Sequence, residues 1–150
     1  MKTFDKILFP VDLSESSDTI VPYVQLMGEK FQSRIYLLYV ARVFQYFTEI
    51  YVPSPSIIQF ENEIINGAQK RLHEFAGKYF KTFKAIQTAV VSGDPAEMIL
   101  QNIKEQDIDL VIMGTHGRKG VEKILFGSVA DRVVKTSHIP VMVVNPHIKR

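Results

Sequence analysis

Apolar runs of strand length alternate along the chain with segments of helical apolar spacing. The runs are short and apolar almost throughout, which is typical of strands buried on both faces of a parallel sheet. This alternation predicts one α/β domain over residues 1–150, an open, Rossmann-like parallel sheet of five strands with helices on both faces. The runs cover residues 4–12, 35–40, 86–91, 110–113 and 140–144, and the helical segments cover residues 20–31, 60–79, 95–103 and 128–136.

Local signals refine several of these elements. Asp94, Pro95 and Glu97 predict a helix start at which Asp94 is the N-cap residue. The prolines of the segment 41–56 predict a loop of irregular backbone. The run 86–91 is less uniformly apolar than the others, which places it nearer an edge of the sheet.

The predicted helices carry apolar residues at helical spacing, among them the long helix and the helix over about 128–136. Because such a stripe is stable only when it is buried, its residues are predicted to pack on the sheet. They are Ile64, Ala68, Leu72 and Phe75 in the long helix, and Val129, Val133 and Val134 in the helix over about 128–136.

Composition and charge exclude several classes of protein. The chain has 150 residues and no cysteine, which excludes a disulfide scaffold, a zinc finger and a thiol nucleophile. Its formal net charge is +2, with no basic block, so no nucleic-acid partner is predicted. No apolar run approaches the roughly 18 residues of a membrane span, and no export signal is recognised, so we expect a cytoplasmic protein without a membrane partner.

The loops after the predicted strands hold the candidate chemistry. An open parallel sheet binds its ligand beyond the carboxyl ends of its strands, where the strand order reverses. The loop 114–120 combines three glycines with His116 and Arg118, so its backbone can approach an anion and its side chains can donate to it. Ser128 follows Gly127 at a predicted helix start, where it either caps the helix or donates to a phosphate. Because the standard phosphate-binding fingerprints are absent, these residues alone leave both a plain turn and a nucleotide pocket open.

Three stretches of sequence form one long motif. Residues 7–14 hold an apolar strand with a Pro-x-Asp-x-Ser segment, residues 109–118 hold a second strand and its loop, and a fixed spacing follows as Gly114-x2-Gly117-x9-Gly127-Ser128. With this motif the chain resembles the universal stress protein family, in its ATP-binding branch, over almost its whole length. The resemblance implies a sheet order of 3-2-1-4-5 and a nucleotide-dependent switch or sensor in stress response. It also implies a homodimer formed through the last strand, Val141 to Val144.

The resemblance also relates individual residues to parts of a bound nucleotide. ATP is the expected ligand, with ADP and AMP as alternatives, and Mg²⁺ could join through the phosphates. By this resemblance, Asp12 lies at the adenosine end with Pro10 and Val11 as its floor, and Val40 meets the adenine. Gly114 lies against the ribose, with Met113 beneath it. The phosphates are wrapped by Thr115, His116, Gly117 and Arg118, and their oxygens are bound by Gly127, Ser128 and Val129.

Other interpretations of the same residues stay open. Asp12 is alternatively a helix cap, with Glu15 as its capping-box partner. A slow ATPase could use His116 or Asp12, although no catalytic set and no resident metal site are predicted. The aromatic segment 41–56 alternatively recruits a partner protein, which would make the chain a dimeric adaptor.

Overall fold

A computed structural model describes residues 2–42, 55–115 and 127–147 of the chain. The elements within these residues are β1 (Lys6–Pro10), α1 (Glu15–Phe31), β2 (Arg34–Ala41), α2 (Pro55–Tyr79), β3 (Ile86–Ser92), α3 (Pro95–Glu105), β4 (Leu110–Gly114), α4 (Ser128–Thr136) and β5 (Val141–Val144). All neighbouring strands are parallel, in the order β3-β2-β1-β4-β5. The predicted α/β fold and strand order are confirmed, and β3 lies at an edge as its sequence indicated.

The sheet packs into two apolar clusters, one on each face. Because alternate residues of a strand point to opposite faces, Ile7 and Phe9 join one cluster while Leu8 joins the other. Helices α1 and α2 supply the first cluster, and α3 and α4 supply the second. The three central side chains of β1, Ile7, Leu8 and Phe9, are fully buried, which explains why this run is apolar without alternation.

The strand order reverses at β1. From β1 the chain moves outward to β2 and β3, and then crosses back to β4 and β5 on the other side. Ile7 accordingly pairs with Ile35 of β2 and with Leu110 of β4. Since the connections leave β1 and β4 on opposite faces, their carboxyl ends border a crevice at this point of the sheet.

Helix α2 begins earlier than its sequence predicted. Pro55 is its first residue, so the predicted loop 41–56 extends two residues too far. Proline suits the first position of a helix because its missing N–H would have no partner there. Residues 43–54 of the predicted loop lie outside the described residues. Of the predicted stripe, Ala68, Leu72 and Phe75 are buried and Ile64 is half-buried.

Helix α4 has the predicted bounds but a narrower buried face. Ala130 and Val133 are buried, and Val129 packs at the edge of the second cluster. The prediction that Val134 points inward is wrong, since 42% of this residue is exposed. A helix turns by about 100° per residue, so a helix that presents Ala130 and Val133 to the sheet carries Val134 toward the solvent.

Candidate functional site

The chain leaves β1 through a tight turn that Asp12 organises. Its carboxylate oxygen Oδ1 accepts hydrogen bonds from the Ser14 amide at 3.0 Å, the Ser14 hydroxyl at 2.6 Å and the Ser17 hydroxyl at 2.8 Å. Leu13, between Asp12 and Ser14, has a φ of 62°, a left-handed conformation that is costly for a residue with a side chain. Asp12 is thereby held at the crevice in one orientation.

Asp12 is not the N-cap residue of α1. Ser14 is the N-cap, and its hydroxyl accepts a hydrogen bond from the Ser16 amide. The alternative in which Asp12 caps the helix with Glu15 as its box partner is therefore wrong. Asp12 instead accepts a hydrogen bond from the hydroxyl of Ser14, and it thereby orients the serine that caps the helix.

Val40, in β2, has a backbone donor and acceptor that are unpaired within the described ranges. The Leu38 carbonyl accepts from the Val11 amide at 2.9 Å, while the Ala41 carbonyl accepts from the Gly93 amide at 2.9 Å. Backbone groups of successive strand residues face opposite neighbours, so the N–H and C=O of Val40 face the β1 side. Because β1 has already ended at Pro10, neither group has a partner among the described residues.

The end of β4 and the start of α4 are joined directly. The Gly127 amide donates to the Thr115 carbonyl at 2.6 Å, although the two residues are far apart in the chain. Gly127 is the N-cap residue of α4, with extended backbone and no side-chain cap, and Ser128 is the first helical residue. The N-cap interpretation of Ser128 is therefore wrong by one position.

At the end of β4 and the start of α4, some backbone N–H groups are hydrogen-bonded within the protein and others have no partner among the described residues. The Thr115 amide donates to the Val144 carbonyl at 2.9 Å and the Gly127 amide is used by Thr115, so neither can bind a phosphate through its N–H. Both amides hold the protein together, and the assignment of Thr115 and Gly127 to the phosphates stays a prediction. The amides of Ser128 and Val129, in the first turn of α4, have no partner within the described parts of the chain.

Arg132, in the middle of α4, is hydrogen-bonded to the start of α3. Its guanidinium donates to the Asp94 carboxylate at 3.0 Å and to the Glu97 carboxylate at 3.4 Å. The same Asp94 oxygen accepts from the Glu97 amide at 3.0 Å, which confirms Asp94 as the N-cap of α3. The N-terminus of α3 is therefore joined to the body of α4.

The structure brings most of the predicted site residues to the carboxyl edge of the sheet. They lie at the ends of neighbouring parallel strands, at the Asp12 turn or at the start of α4. Met113 and Thr115 are buried, and Ser128 is exposed at the mouth of the crevice. The residues placed there are Pro10, Val11, Asp12, Val40, Met113, Gly114, Thr115, Gly127, Ser128 and Val129. His116, Gly117 and Arg118 lie outside the described residues.

Sequence reasoning missed Ser17 as a part of the site. Ser17 is only 3% exposed, although serine is a polar residue and Ser17 lies at the start of α1. The spacing Asp12-x-Ser14-x-x-Ser17 was visible in the sequence, but each serine could equally have been a solvent-exposed cap residue. Only the packing of the turn against the sheet shows which of the two serines is the buried one.

Neither a metal-ligand cluster nor a membrane-spanning helix occurs among the described residues. Among residues 2–42, 55–115 and 127–147, no three His, Asp or Glu side chains converge as ligands for a metal ion. None of the helices in those same ranges combines the length and apolar character that a membrane crossing needs. The described residues of the candidate site offer backbone donors and acceptors, one carboxylate and hydroxyl groups.

These features define an open, doubly wound α/β protein with its candidate site where the strand order reverses. Residues 3–145 match the model of the universal stress protein family. The chain belongs to the universal stress protein family.

Known members of the family resemble the chain over most of its length. Universal stress protein MJ0531 of Methanocaldococcus jannaschii is 30% identical over 145 residues, which cover 94% of this chain and 82% of that protein. The solved structure of MJ0577 from the same organism, described as a test case for structure-based assignment of biochemical function, superposes with a TM-score of 0.83 at 25% identity over 99% of both chains. A universal stress protein solved in complex with cAMP has the same fold, with a TM-score of 0.60 at 21% identity, over 97% of this chain and 99% of that one.

Proposed function

We propose that the chain binds an adenine nucleotide, preferentially ATP, in the crevice between β1 and β4 and acts as a nucleotide-dependent switch. One observation carries the proposal: two sets of backbone groups without a partner among the described residues lie at the same edge of the sheet, at Val40 and in the first turn of α4. The family's known complex with cAMP, also an adenine nucleotide, supports the choice of ligand class.

Val40 is proposed to recognise the adenine base through its backbone N–H and C=O. Adenine presents a donor at its amino group next to an acceptor at ring nitrogen N1. The Val40 carbonyl accepts from the amino group and the Val40 amide donates to N1. Guanine presents the opposite pattern at the same two positions, so it would leave both Val40 groups facing a like group. The site is therefore proposed to select adenine over guanine.

The first turn of α4 is the proposed phosphate site. The amides of Ser128 and Val129 point out of the helix start, which carries about half a positive charge. Ser128 is exposed there, so its hydroxyl can also donate to a phosphate oxygen. A Mg²⁺ ion would bind mainly through the phosphates themselves, since it keeps several waters and needs few protein ligands.

Isothermal titration calorimetry tests the proposal directly. We expect ATP to bind saturably at one nucleotide per chain, with Mg²⁺ changing the affinity, and GTP to bind at least about tenfold more weakly because its base opposes Val40. Adenosine should bind more weakly than ATP, since it lacks the phosphates that the amides at the start of α4 are proposed to bind. No saturable heat with ATP at millimolar concentration, or equal binding of ATP and GTP, would contradict the proposal.

We also propose that the switch acts through a homodimer formed by the edge strand β5. Within the part of the chain that the structure describes, β5 pairs only with β4, and an apolar strand with a free edge needs a cover. The Pro140 carbonyl accepts from the Val111 amide and the Val144 carbonyl from the Thr115 amide, so the alternate residues Val141 and Val143 direct their backbone groups outward. Helix α4 leads directly into β5, which connects the proposed phosphate site to the dimer surface.

Val143→Pro should convert the dimer to a monomer. The substitution removes an outward N–H that β4 does not use, so the strand keeps its place in the sheet while the pairing between copies is lost. Sedimentation equilibrium, with and without ATP, measures the change. Val143→Thr keeps the N–H and is expected to stay dimeric. A wild-type protein that is monomeric with and without ATP would contradict the dimer.

A further inference from the structure

We propose that Ser17 is a positioning residue that orients the Asp12 carboxylate toward the adenosine end of the ligand. The inference rests on the proposed nucleotide binding and deepens it. Ser17 itself would not touch the ligand, because it is 3% exposed and lies behind the turn. Its effect on the ligand would pass through Asp12 alone.

Ser17 contacts Asp12 in two places. Its hydroxyl donates to Asp12 Oδ1 at 2.8 Å and accepts from the Asp12 amide at 3.1 Å. One hydroxyl therefore fixes both the backbone and the side chain of the same residue. These are the only hydrogen bonds that the Ser17 side chain makes among the described residues, so its polar group is used entirely on Asp12.

The Ser17 hydroxyl can be buried at low cost only because it is hydrogen-bonded to Asp12. A hydroxyl removed from water costs free energy unless it is hydrogen-bonded, and an alanine would fill a similar space without that cost. The neighbouring Leu13 adds strain, because its φ of 62° is unfavourable for a residue that is not glycine. The two Ser17 bonds help to hold the turn in this strained form.

The consequence lies in how the carboxylate is presented. Three donors, two from Ser14 and one from Ser17, are directed at Oδ1. The same carboxylate's Oδ2 has no partner within residues 2–42, 55–115 and 127–147. Oδ1 is thus committed to the turn, and Oδ2 is the oxygen left for a donor on the ligand. A carboxylate held in this way binds without first losing its own rotational freedom.

A double-mutant cycle tests this role. Ser17→Ala, Asp12→Ala and the double variant are titrated with adenosine and with ATP, and the affinities are referred to the folded fraction. We expect Ser17→Ala to weaken both ligands equally, by about three- to tenfold, because the lost hydrogen bonds serve the shared adenosine part. In the Asp12→Ala background the same substitution should change neither affinity, since the residue that it positions is gone.

Ser16→Ala is the matched control. It removes a hydroxyl from the same turn of α1, but that hydroxyl makes no contact with Asp12 among the described hydrogen bonds, so both affinities should stay at the wild-type level. Ser17→Cys keeps the bulk of the side chain with a weaker hydrogen-bonding group, and it replaces Ser17→Ala in the cycle if the alanine variant does not fold.

The outcomes separate this inference from the function on which it rests. If wild-type protein binds no nucleotide, the proposed function itself fails. If wild-type protein binds but Asp12→Ala binds equally well, or if Ser17→Ala weakens binding by the same factor with and without Asp12, the positioning role is overturned while the nucleotide site stands.

Discussion

Ser128→Asp should lower the affinity for ATP by about 30-fold or more while leaving adenosine binding unchanged. Two unit charges about 4 Å apart repel by about 4 kcal/mol at an effective dielectric constant of about 20, and solvent screening at this exposed position removes about half of that. The remaining 2 kcal/mol or so corresponds to about 30-fold. Adenosine has no phosphate, so the new carboxylate has nothing to repel.

Ser128→Asp is also expected to fold as well as the wild type. An acidic residue in the first turn of a helix interacts favourably with the helix dipole, so the free energy of unfolding should stay equal or rise slightly. Ser128→Asn is the matched control, because asparagine has nearly the same shape as aspartate without the charge. Calorimetry with ATP and adenosine decides the matter. Equal weakening of both ligands by Ser128→Asp, or equal loss of ATP affinity in Ser128→Asn, would contradict the assignment of the phosphates to α4.

Leu8→Ala should lower the free energy of unfolding by about 3–5 kcal/mol. Leu8 is fully buried in the central strand β1, where the second cluster surrounds it. The substitution removes apolar contacts and leaves a cavity that the sheet, held by neighbours on both sides, cannot close. Urea unfolding followed by circular dichroism measures the change.

Leu26→Ala is the matched control for this effect. It is the same substitution on α1, at a leucine that is 61% exposed, and its expected cost is about 0.5 kcal/mol or less. Comparable losses in the two variants would show that β1 is not the centre of the core. The comparison also calibrates any stability change seen in the site variants.

Signals that act within a few residues could be read from the sequence with success. Asp94 was predicted as an N-cap residue, and it accepts from the Glu97 amide as expected. The partners are three positions apart, so the interaction needs nothing from the rest of the chain. The alternation of apolar runs is a longer signal of the same kind, because a strand covered on both faces must be apolar throughout.

The start of α4 shows where local reading fails. Gly127 and Ser128 are both plausible N-cap residues, and the sequence favoured the serine. The structure places the cap at Gly127, whose amide is fixed by the Thr115 carbonyl. That contact joins residues twelve positions apart in the chain, so no local pattern could have revealed it. The inward face of α4, which excludes Val134, was likewise decided by where the sheet lies.

The amino-acid sequence alone determined the order of strands and helices and, through its long motif, the family and the expected ligand class. It could do so because burial on both faces and helix-start chemistry leave marks on neighbouring residues. Tertiary structure alone decided which amides are available, which serine is buried behind Asp12 and where β1 ends beside Val40. These three features depend on residues that the fold brings together from distant parts of the chain. The free energy of such contacts cannot be predicted from any one segment of the sequence.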